Sequence, residues 1–411
     1  MKITRFFNRL GPGLLFASMA IGTSHLVLST KAGAMYGMFM ALPIILANLL
    51  KYPYFEFGVR YTRVKEHSLT EGYAALSKRY LYLYAGVNLV SAFTILAALY
   101  SVTAGMTLNV IGTGTGLSMQ SMSVLLFLMI SALIIIGRYA QLEKALKYLV
   151  LILFVALLAT VVLVLQNGKA PSQPAFIPPN YFDQAGLLFL ISLIGWMPTA
   201  VEASGWVSLW NLEKLKKHKE IPSLKETLSE FNLGYFITAL LALFFFFIGY
   251  MTLYGSGTPL SANGVVFAKE LTELFTTQLG NWAKILISIS ALAAMLSTCL
   301  SAHDALARVI VDLGQRLEIT QKNYFNWAVI GLSITNLSVI IGFTASMGKL
   351  VSIATFASFV FAPILGYMNH KLVFSADFPE KAQPSRFMKG LSYLGIVFLG
   401  SFSIYYLYSL L

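Results

Sequence analysis

Two polar clusters interrupt long apolar stretches and supply side chains that could bind a small ion or solute. The first reads Gly22-Thr23-Ser24-His25. In lipid, irregular backbone is tolerated only where it lines a cavity or is buried in protein. A glycine is flexible, and hydroxyls can replace backbone partners, so this segment suits a helix break. We predict unwound backbone at Gly22, Thr23 and Ser24, with half-helix ends that bind ions or polar groups.

The second cluster lies in "LISLIGWMPTAVEASGWVSLW". Pro198 removes a backbone donor there and predicts a second kink or break. An imidazole, a thioether and a carboxylate suit a late transition metal, so His25, Met197 and Glu202 predict a metal site. His25 and Glu202 are also candidate proton carriers. The residues predicted to bind substrate are Gly22, Thr23, Ser24, His25, Met197, Thr199 and Glu202.

These clusters lie in a chain whose composition is that of an all-α polytopic membrane protein. Of 411 residues, 57% are hydrophobic and 11% are charged, whereas soluble domains have about 25% charged residues. Apolar runs of about 20 residues recur throughout. They predict one transmembrane domain, residues 1–411, with spans at 11–37, 38–60, 81–106, 121–137, 145–166, 185–210, 231–255, 280–302, 326–344, 349–369 and 389–410.

The basic residues predict how the chain is oriented in the membrane. Lys2, Arg5 and Arg9 precede the first span, and every second loop after it is basic, whereas "TLNVIGTGTGLSMQ" has no basic residue. This places the N-terminus in the cytoplasm and the C-terminus outside, in a prokaryotic plasma membrane. The net charge of +12 is spread over short loops instead of one basic face, so we expect a lipid bilayer and no nucleic acid as partner.

The two breaks have equivalent positions if spans one to five and six to ten form two halves. Matching interrupted helices are typical of inverted-repeat transporters with a site at the membrane midplane. We predict repeat one at 11–166, repeat two at 185–369 and an extra helix at 389–410. Alternating access would follow from rocking of the broken helices, and a monomer would suffice. In span two, Lys51 and Glu56 predict a structural ion pair or gate.

A family resemblance supports this organisation. "GPGLLFASMAIGTSHLVLSTKAGAMYG" followed by "ILANLL" is similar to the first two spans of the Nramp family of divalent-metal transporters. The "GP" start, the "AGAxYG" exit and "LANL" match, and "WMPT" resembles the family's "MPH" motif. The resemblance covers about residues 11–60 and 190–210. It implies a LeuT-like fold with two inverted five-helix repeats, an eleventh helix and interrupted helices one and six.

The resemblance also implies which positions face the substrate. The family's Asp-Pro-Gly-Asn metal motif falls on Gly22 to His25, so its aspartate is replaced by glycine and its asparagine by His25. The family's methionine is retained as Met197, and its histidine is Thr199. The implied function is transport of a divalent ion of the Mn or Fe type, coupled to H⁺.

Other polar residues in span eight are candidates for coupling transport to an ion gradient. In LeuT-like transporters, hydroxyls of this span that face the first break can hold sodium, which points to Ser297 and Thr298. His303 and Asp304 lie near the predicted cytoplasmic end and could form a proton exit path. The candidate coupling residues are therefore His25, Glu202, Ser297, Thr298, His303 and Asp304.

Two other functions stay open beside metal transport. Bare amides and hydroxyls at half-helix ends suit a carboxylate, which predicts a transporter of an organic or anionic solute. A non-transporting sensor or scaffold would instead have an apolar, filled centre. The sequence has no Walker A, HExxH or nucleophile-elbow motif, so we expect a secondary transporter and not an enzyme, with no cofactor.

Overall fold

The computed structural model describes residues 12–112, 116–137, 139–217, 222–256, 260–261, 264–319, 322–342 and 347–409. The predicted span limits at 11, 344 and 410, and the basic residues Lys2, Arg5 and Arg9, lie outside this part of the chain. The described residues are almost entirely helical.

The α-helices are α1 Pro12–Ala20, α2 Ala41–Lys65, α3 Leu69–Leu76, α4 Lys78–Ile111, α5 Met119–Ile136, α6 Tyr139–Asn167, α7 Gln184–Trp196, α8 Ala203–Lys217, α9 Leu224–Leu253, α10 Gly264–Leu279, α11 Ala283–Arg316, α12 Phe325–Gly342, α13 Met347–Val373 and α14 Arg386–Ser409. Two π-helical segments, Ser24–Ser29 and Ala32–Tyr36, follow α1, and 3₁₀ turns occupy Met38–Met40 and Glu380–Ala382.

Short polar residues set where several helices begin. The Ser68 hydroxyl accepts a hydrogen bond from the Glu71 amide at 3.1 Å at the start of α3. The Asp183 carboxylate accepts from the Gly186 amide at 2.7 Å at the start of α7. Ser223 forms a capping box that begins α9. Each cap satisfies amides that the first helical turn leaves without a partner.

The helices support the predicted membrane organisation. Among the described residues, eight helices are long and apolar enough to span a membrane, and α7 and the Leu151–Asn167 part of α6 are shorter apolar helices. Together with the interrupted first segment, residues 12–36, these ten helices lie at the eleven predicted positions along the chain. Two helices were not predicted, α3 and α10, and both lie between spans.

The first break is shorter than the sequence predicts. Helix α1 ends at Ala20, Ile21 and Gly22 bend, and the backbone is helical again from Thr23. A Cβ on Gly22 would lie 2.8 Å from the Thr298 Oγ1 atom and 2.9 Å from its Cγ2. The close approach of α11 therefore requires glycine here, whereas Thr23 and Ser24 keep helical backbone.

The second break extends from Met197 to Glu202, around the predicted Pro198. Helix α11 is longer than the predicted eighth span and continues through Arg316. His303 and Asp304 are consequently buried inside a helix, instead of lying near its end as predicted.

Candidate functional site at the two helix breaks

The two helix breaks meet at one small cavity. Its walls come from both broken segments and from α4 and α11, through Met19, Ala20, Gly22, Thr23, Ser24, Ile95, Leu99, Trp196, Thr199, Ala200, Trp206, Thr298 and Ala302. The cavity measures about 30 Å³. A water molecule needs about 10–15 Å³ on this scale, so the space fits one or two waters or a single small ion.

Ser24 connects the two breaks directly. Its hydroxyl lies 3.4 Å from the Pro198 carbonyl oxygen, 3.3 Å from the Ala20 carbonyl oxygen and 2.9 Å from the His25 Nδ1 atom. A hydroxyl has one hydrogen to donate, so only one of these three groups can receive it at a time.

His25 points away from the cavity, toward α9. Its Nε2 lies 3.0 Å from the Thr238 carbonyl oxygen, which can only accept, so Nε2 carries a hydrogen. In the neutral ring, Nδ1 is then the acceptor and takes the Ser24 hydrogen. Both ring nitrogens are engaged and the side chain is fully buried. In this conformation His25 has no lone pair directed at the cavity.

Glu202 lies behind the cavity wall, between α4 and α13. Its Oε1 accepts hydrogen bonds from the hydroxyls of Ser91 at 2.7 Å and Ser358 at 3.0 Å. The Trp196 indole, which lines the cavity, donates to Ser358 at 3.1 Å. The other oxygen, Oε2, is buried without a hydrogen-bond partner. One hydroxyl and one indole therefore separate this carboxylate from the cavity.

The three predicted metal ligands do not line the cavity together. Met197 is fully buried, and its amide closes the last turn of α7 on Ile194. Within the described residues, no group of three or more His, Cys, Asp or Glu side chains could hold a metal ion. The predicted residues that do face the cavity are Gly22, Thr23, Ser24, Thr199 and Thr298.

Lys51 caps the end of the first half of the broken sixth span. Its buried ammonium donates to the carbonyl oxygens of Ile194 at 2.6 Å, Gly195 at 2.7 Å and Thr199 at 3.4 Å. These contacts satisfy carbonyls that the end of α7 leaves free and place a positive charge at the negative end of its dipole.

The predicted pairing of Lys51 with Glu56 is wrong. Glu56 binds Arg60 one helical turn further along α2, with the Arg60 Nε at 3.0 Å from Oε1, because residues four apart share a helix face. The carboxylate that interacts electrostatically with Lys51 is that of Glu202. A lysine inside an apolar span indicates a buried polar contact. Residue spacing does not reveal that this contact is made with the end of α7, which is distant in sequence.

Ser297 and Thr298 face the first break, as predicted for a coupling site. The Thr298 hydroxyl lies 3.3 Å from the Ser18 carbonyl oxygen, 3.2 Å from that of Ile21 and 3.0 Å from that of Ala294. The Ser297 and Ser18 hydroxyls are hydrogen-bonded to each other. Six oxygens from α1, the first break and α11 thus converge. The contribution of Ser18 was not predicted.

His303 and Asp304 are not brought to the centre. His303 contacts the Tyr100 hydroxyl at 2.9 Å and the Val329 carbonyl oxygen at 3.1 Å. Asp304 accepts from Arg308 at 2.7 Å and from the Trp210 indole at 3.1 Å. Both have complete sets of structural partners between α11 and its neighbours.

Two opposed half-helices that enclose a small cavity in an apolar helical bundle define a membrane transporter of LeuT-like fold. Solved structures of this architecture superpose on most of the chain. A manganese transporter of Eremococcus coleocola gives a TM-score of 0.73 at 14% identity, over 96% of this chain and 85% of that one. MhsT, solved with L-phenylalanine, gives 0.68 at 18% identity, over 98% of both chains.

Sequence comparison specifies the family within this class. The family model described as natural resistance-associated macrophage protein-like, Nramp, matches residues 13–409, and the chain belongs to this family. An uncharacterised protein of Pasteurella multocida is 30% identical over 407 residues, which cover 98% of this chain and 92% of that protein. The predicted family and fold are thereby confirmed.

Proposed function

We propose that this protein is a secondary active transporter that moves a divalent metal ion of the Mn²⁺ type, coupled to H⁺, by alternating access. The observation that carries the proposal is that both helix breaks share one cavity with room for a single ion. Membership of the Nramp family and the similarity to a manganese transporter support the choice of ion.

The groups around the cavity favour a hard cation. Thr23, Ser24 and Thr199 are the hydroxyl-bearing residues of its wall together with Thr298, and oxygen ligands suit Mn²⁺ or Mg²⁺ better than Cu²⁺ or Zn²⁺. Among the described residues no carboxylate lines the cavity, so we expect the ion to bind weakly. Direct ligation by His25, Met197 or Glu202 requires another conformation and remains a prediction.

The contact between Ser24 and His25 offers a way to couple transport to protons. When His25 is neutral, Nδ1 takes the Ser24 hydrogen. When His25 is protonated, Nδ1 becomes a donor to Ser24, and the Ser24 hydrogen is released to the Pro198 or Ala20 carbonyl. Protonation therefore changes the hydrogen bond that joins the two broken helices. In the proposed orientation, with a cytoplasmic N-terminus, this change would bias the rocking of the two segments.

Sodium is the second candidate for the coupling ion. The oxygens of Ser18, Ile21 and Ala294 surround the Thr298 hydroxyl at 3.0–3.3 Å, an all-oxygen set that suits a hard monovalent cation. An organic substrate has less support. A cavity of about 30 Å³ is far below the ~300 Å³ and more that small-molecule sites provide.

Calorimetry on the purified protein tests the proposal. Mn²⁺ and Mg²⁺ should give saturable heat in the wild type and much less in Ser24→Ala, whereas Zn²⁺ should bind no better than Mn²⁺. Ser29→Ala is the matched control, because Ser29 is a buried hydroxyl on the same π-helical segment that does not line the cavity. Absence of heat with every dication in folded protein would reject a metal substrate.

A further inference from the structure

The second break leaves main-chain carbonyl oxygens without amide partners in their own helix. Pro198 has no amide hydrogen, so the Ile194 carbonyl lacks the donor that an α-helix places four residues later. The Met197 amide contacts that oxygen at 3.3 Å, which uses one of its two lone pairs. The Gly195 carbonyl would need the amide of Thr199, which lies in the break beyond the end of α7. Buried oxygens of this kind need another donor or a cation.

Lys51 brings one positive charge to these oxygens from α2. Its Nζ atom lies 2.6 Å from the Ile194 oxygen, 2.7 Å from the Gly195 oxygen and 3.4 Å from the Thr199 oxygen. An ammonium has three hydrogens, so each oxygen can receive one. The whole side chain is buried, and Glu202 supplies a negative charge that interacts with it. Carbonyl oxygens thus surround a single desolvated cation.

The chemistry of these oxygens favours a small monovalent cation. Carbonyl oxygens bind such ions in channels by replacing the hydration shell. The distances of 2.6 and 2.7 Å are close to those of hydrogen bonds donated by a charged nitrogen, so an ammonium ion fits without rearrangement. A dication holds its water more tightly and prefers several carboxylates. Among the described residues, Glu202 is the one carboxylate that interacts electrostatically with Lys51.

We infer that the carbonyl oxygens of Ile194, Gly195 and Thr199 form a site for a small monovalent cation, and that the Lys51 ammonium is its tethered occupant. The inference does not depend on which ion the protein transports. A tethered cation loses little translational freedom on binding, so the site is filled without any free ion from solution. Removal of the ammonium should convert it into a site that a free ammonium or alkali-metal ion can fill.

The tethered cation also shapes the wall of the central cavity. Thr199 contributes a carbonyl oxygen to the cation site and lines the cavity as well. Trp196, which directly follows Gly195, lines the cavity too. A free cation that replaces the Lys51 ammonium can therefore enter from the cavity. The bound charge stabilises the second break in the same way whether or not the cavity contains an ion.

Thermal unfolding of Lys51→Met and Lys51→Ala in different chloride salts tests the inference. Methionine keeps most of the lysine stem and lacks only its charged end, so NH₄⁺ should fit this variant better than ethylammonium. Alanine lacks the stem as well, so ethylammonium should fit that variant better. The better ion should raise the melting temperature saturably by at least about 3 °C. Tetramethylammonium at the same ionic strength has no hydrogen to donate and should have no effect.

Lys31→Ala is the matched control. The Lys31 ammonium, among the described residues, contacts a single carbonyl oxygen, that of Ser261 at 3.2 Å, and lies over the Phe267 ring. Neither NH₄⁺ nor ethylammonium should stabilise this variant more than the wild type. The same order of the two ions in both Lys51 variants would show a general salt effect and would overturn the inference. Failure of both Lys51 variants to fold in every salt would also overturn it.

A crystal structure of Lys51→Met grown with Rb⁺ locates the site directly. The anomalous signal of rubidium should lie in contact with the Ile194 and Gly195 carbonyl oxygens, at the place of the Lys51 Nζ atom. Replacement of Rb⁺ by NH₄⁺ should remove the signal, which would show that both ions share the site. A rubidium signal confined to the central cavity beside Ser24, or no signal at all, would contradict a cation site at the second break.

Discussion

The Ser24 hydroxyl lies 3.4 Å from the carbonyl oxygen of Pro198, and this contact joins the two broken helices across the central cavity. One residue follows the first break and the other lies inside the second. Because Ser24 also contacts His25 at 2.9 Å, the contact between the breaks depends on the state of an ionisable ring. In the proposed mechanism, substrate binding, helix movement and proton binding share this one hydrogen bond.

Gly22→Ala should lower both stability and uptake. The added Cβ would meet Thr298 at 2.8 Å, and overpacking of this kind costs about 1–3 kcal/mol. Thr298→Ala in the same chain removes the clashing atoms and should restore much of the thermal stability. Gly86→Ala on α4 is the control, since a Cβ there meets nothing within 4 Å. Equal melting temperatures for Gly22→Ala and Gly86→Ala would refute the close approach.

Lys51→Met should be among the most destabilising substitutions in the bundle. It leaves carbonyl groups at the end of α7 without their hydrogen-bond donor, which costs about 1–3 kcal/mol, and it removes the positive charge that acts on Glu202. Adding Glu202→Gln removes the second charge and should recover part of the loss, because coupled charges give non-additive effects. Thermal unfolding of the two single variants and the double variant measures this coupling. Strict additivity would mean that the two charges are independent.

His25→Gln and His25→Leu should differ sharply. Glutamine retains a donor for Thr238 and a group for Ser24 but cannot titrate, so the folded variant should transport with little pH dependence. Leucine removes both hydrogen bonds and should cost about 2 kcal/mol of stability. Uptake measured across external pH distinguishes them. Unchanged pH dependence in His25→Gln would exclude His25 as a coupling residue.

Sodium dependence should follow the oxygen cluster at the first break. If Na⁺ binds there, Ser297→Ala and Thr298→Val should each abolish stimulation of Mn²⁺ uptake by a sodium gradient. Ser301→Ala, one turn further along α11 and equally buried, should retain it. Should the wild type show no response to sodium, the cluster is structural and protons alone drive transport.

Much of the architecture was readable from the sequence, because apolar run length and loop charge are local properties. The break at Pro198 was predicted correctly, since proline lacks the amide that a helix needs. The length of the first break was not predicted correctly, because it depends on how closely α11 approaches Gly22. The predicted extent of span eight was too short, as α11 continues beyond the apolar core to Arg316.

The candidate site was only partly readable. Residue type pointed to His25 and Glu202, but neither lines the cavity, since the orientation of a side chain depends on its partners in distant helices. Thr238 holds the His25 ring through a backbone carbonyl, which no residue pattern reveals. Lys51 could be recognised in the sequence because it is a charged residue in an apolar span. Its partners on α7 could not be predicted, because they are main-chain carbonyl groups with no sequence signature.

Uptake of radiolabelled Mn²⁺ into proteoliposomes is the most direct test of the central claim that the two breaks form one cation pathway. Wild-type protein and Ser24→Ala would be compared under an imposed pH gradient, with Ser29→Ala as the control. The account predicts saturable, gradient-driven uptake that falls at least about tenfold in Ser24→Ala and persists in Ser29→Ala. Folded wild-type protein that moves no Mn²⁺ under either a proton or a sodium gradient would contradict it.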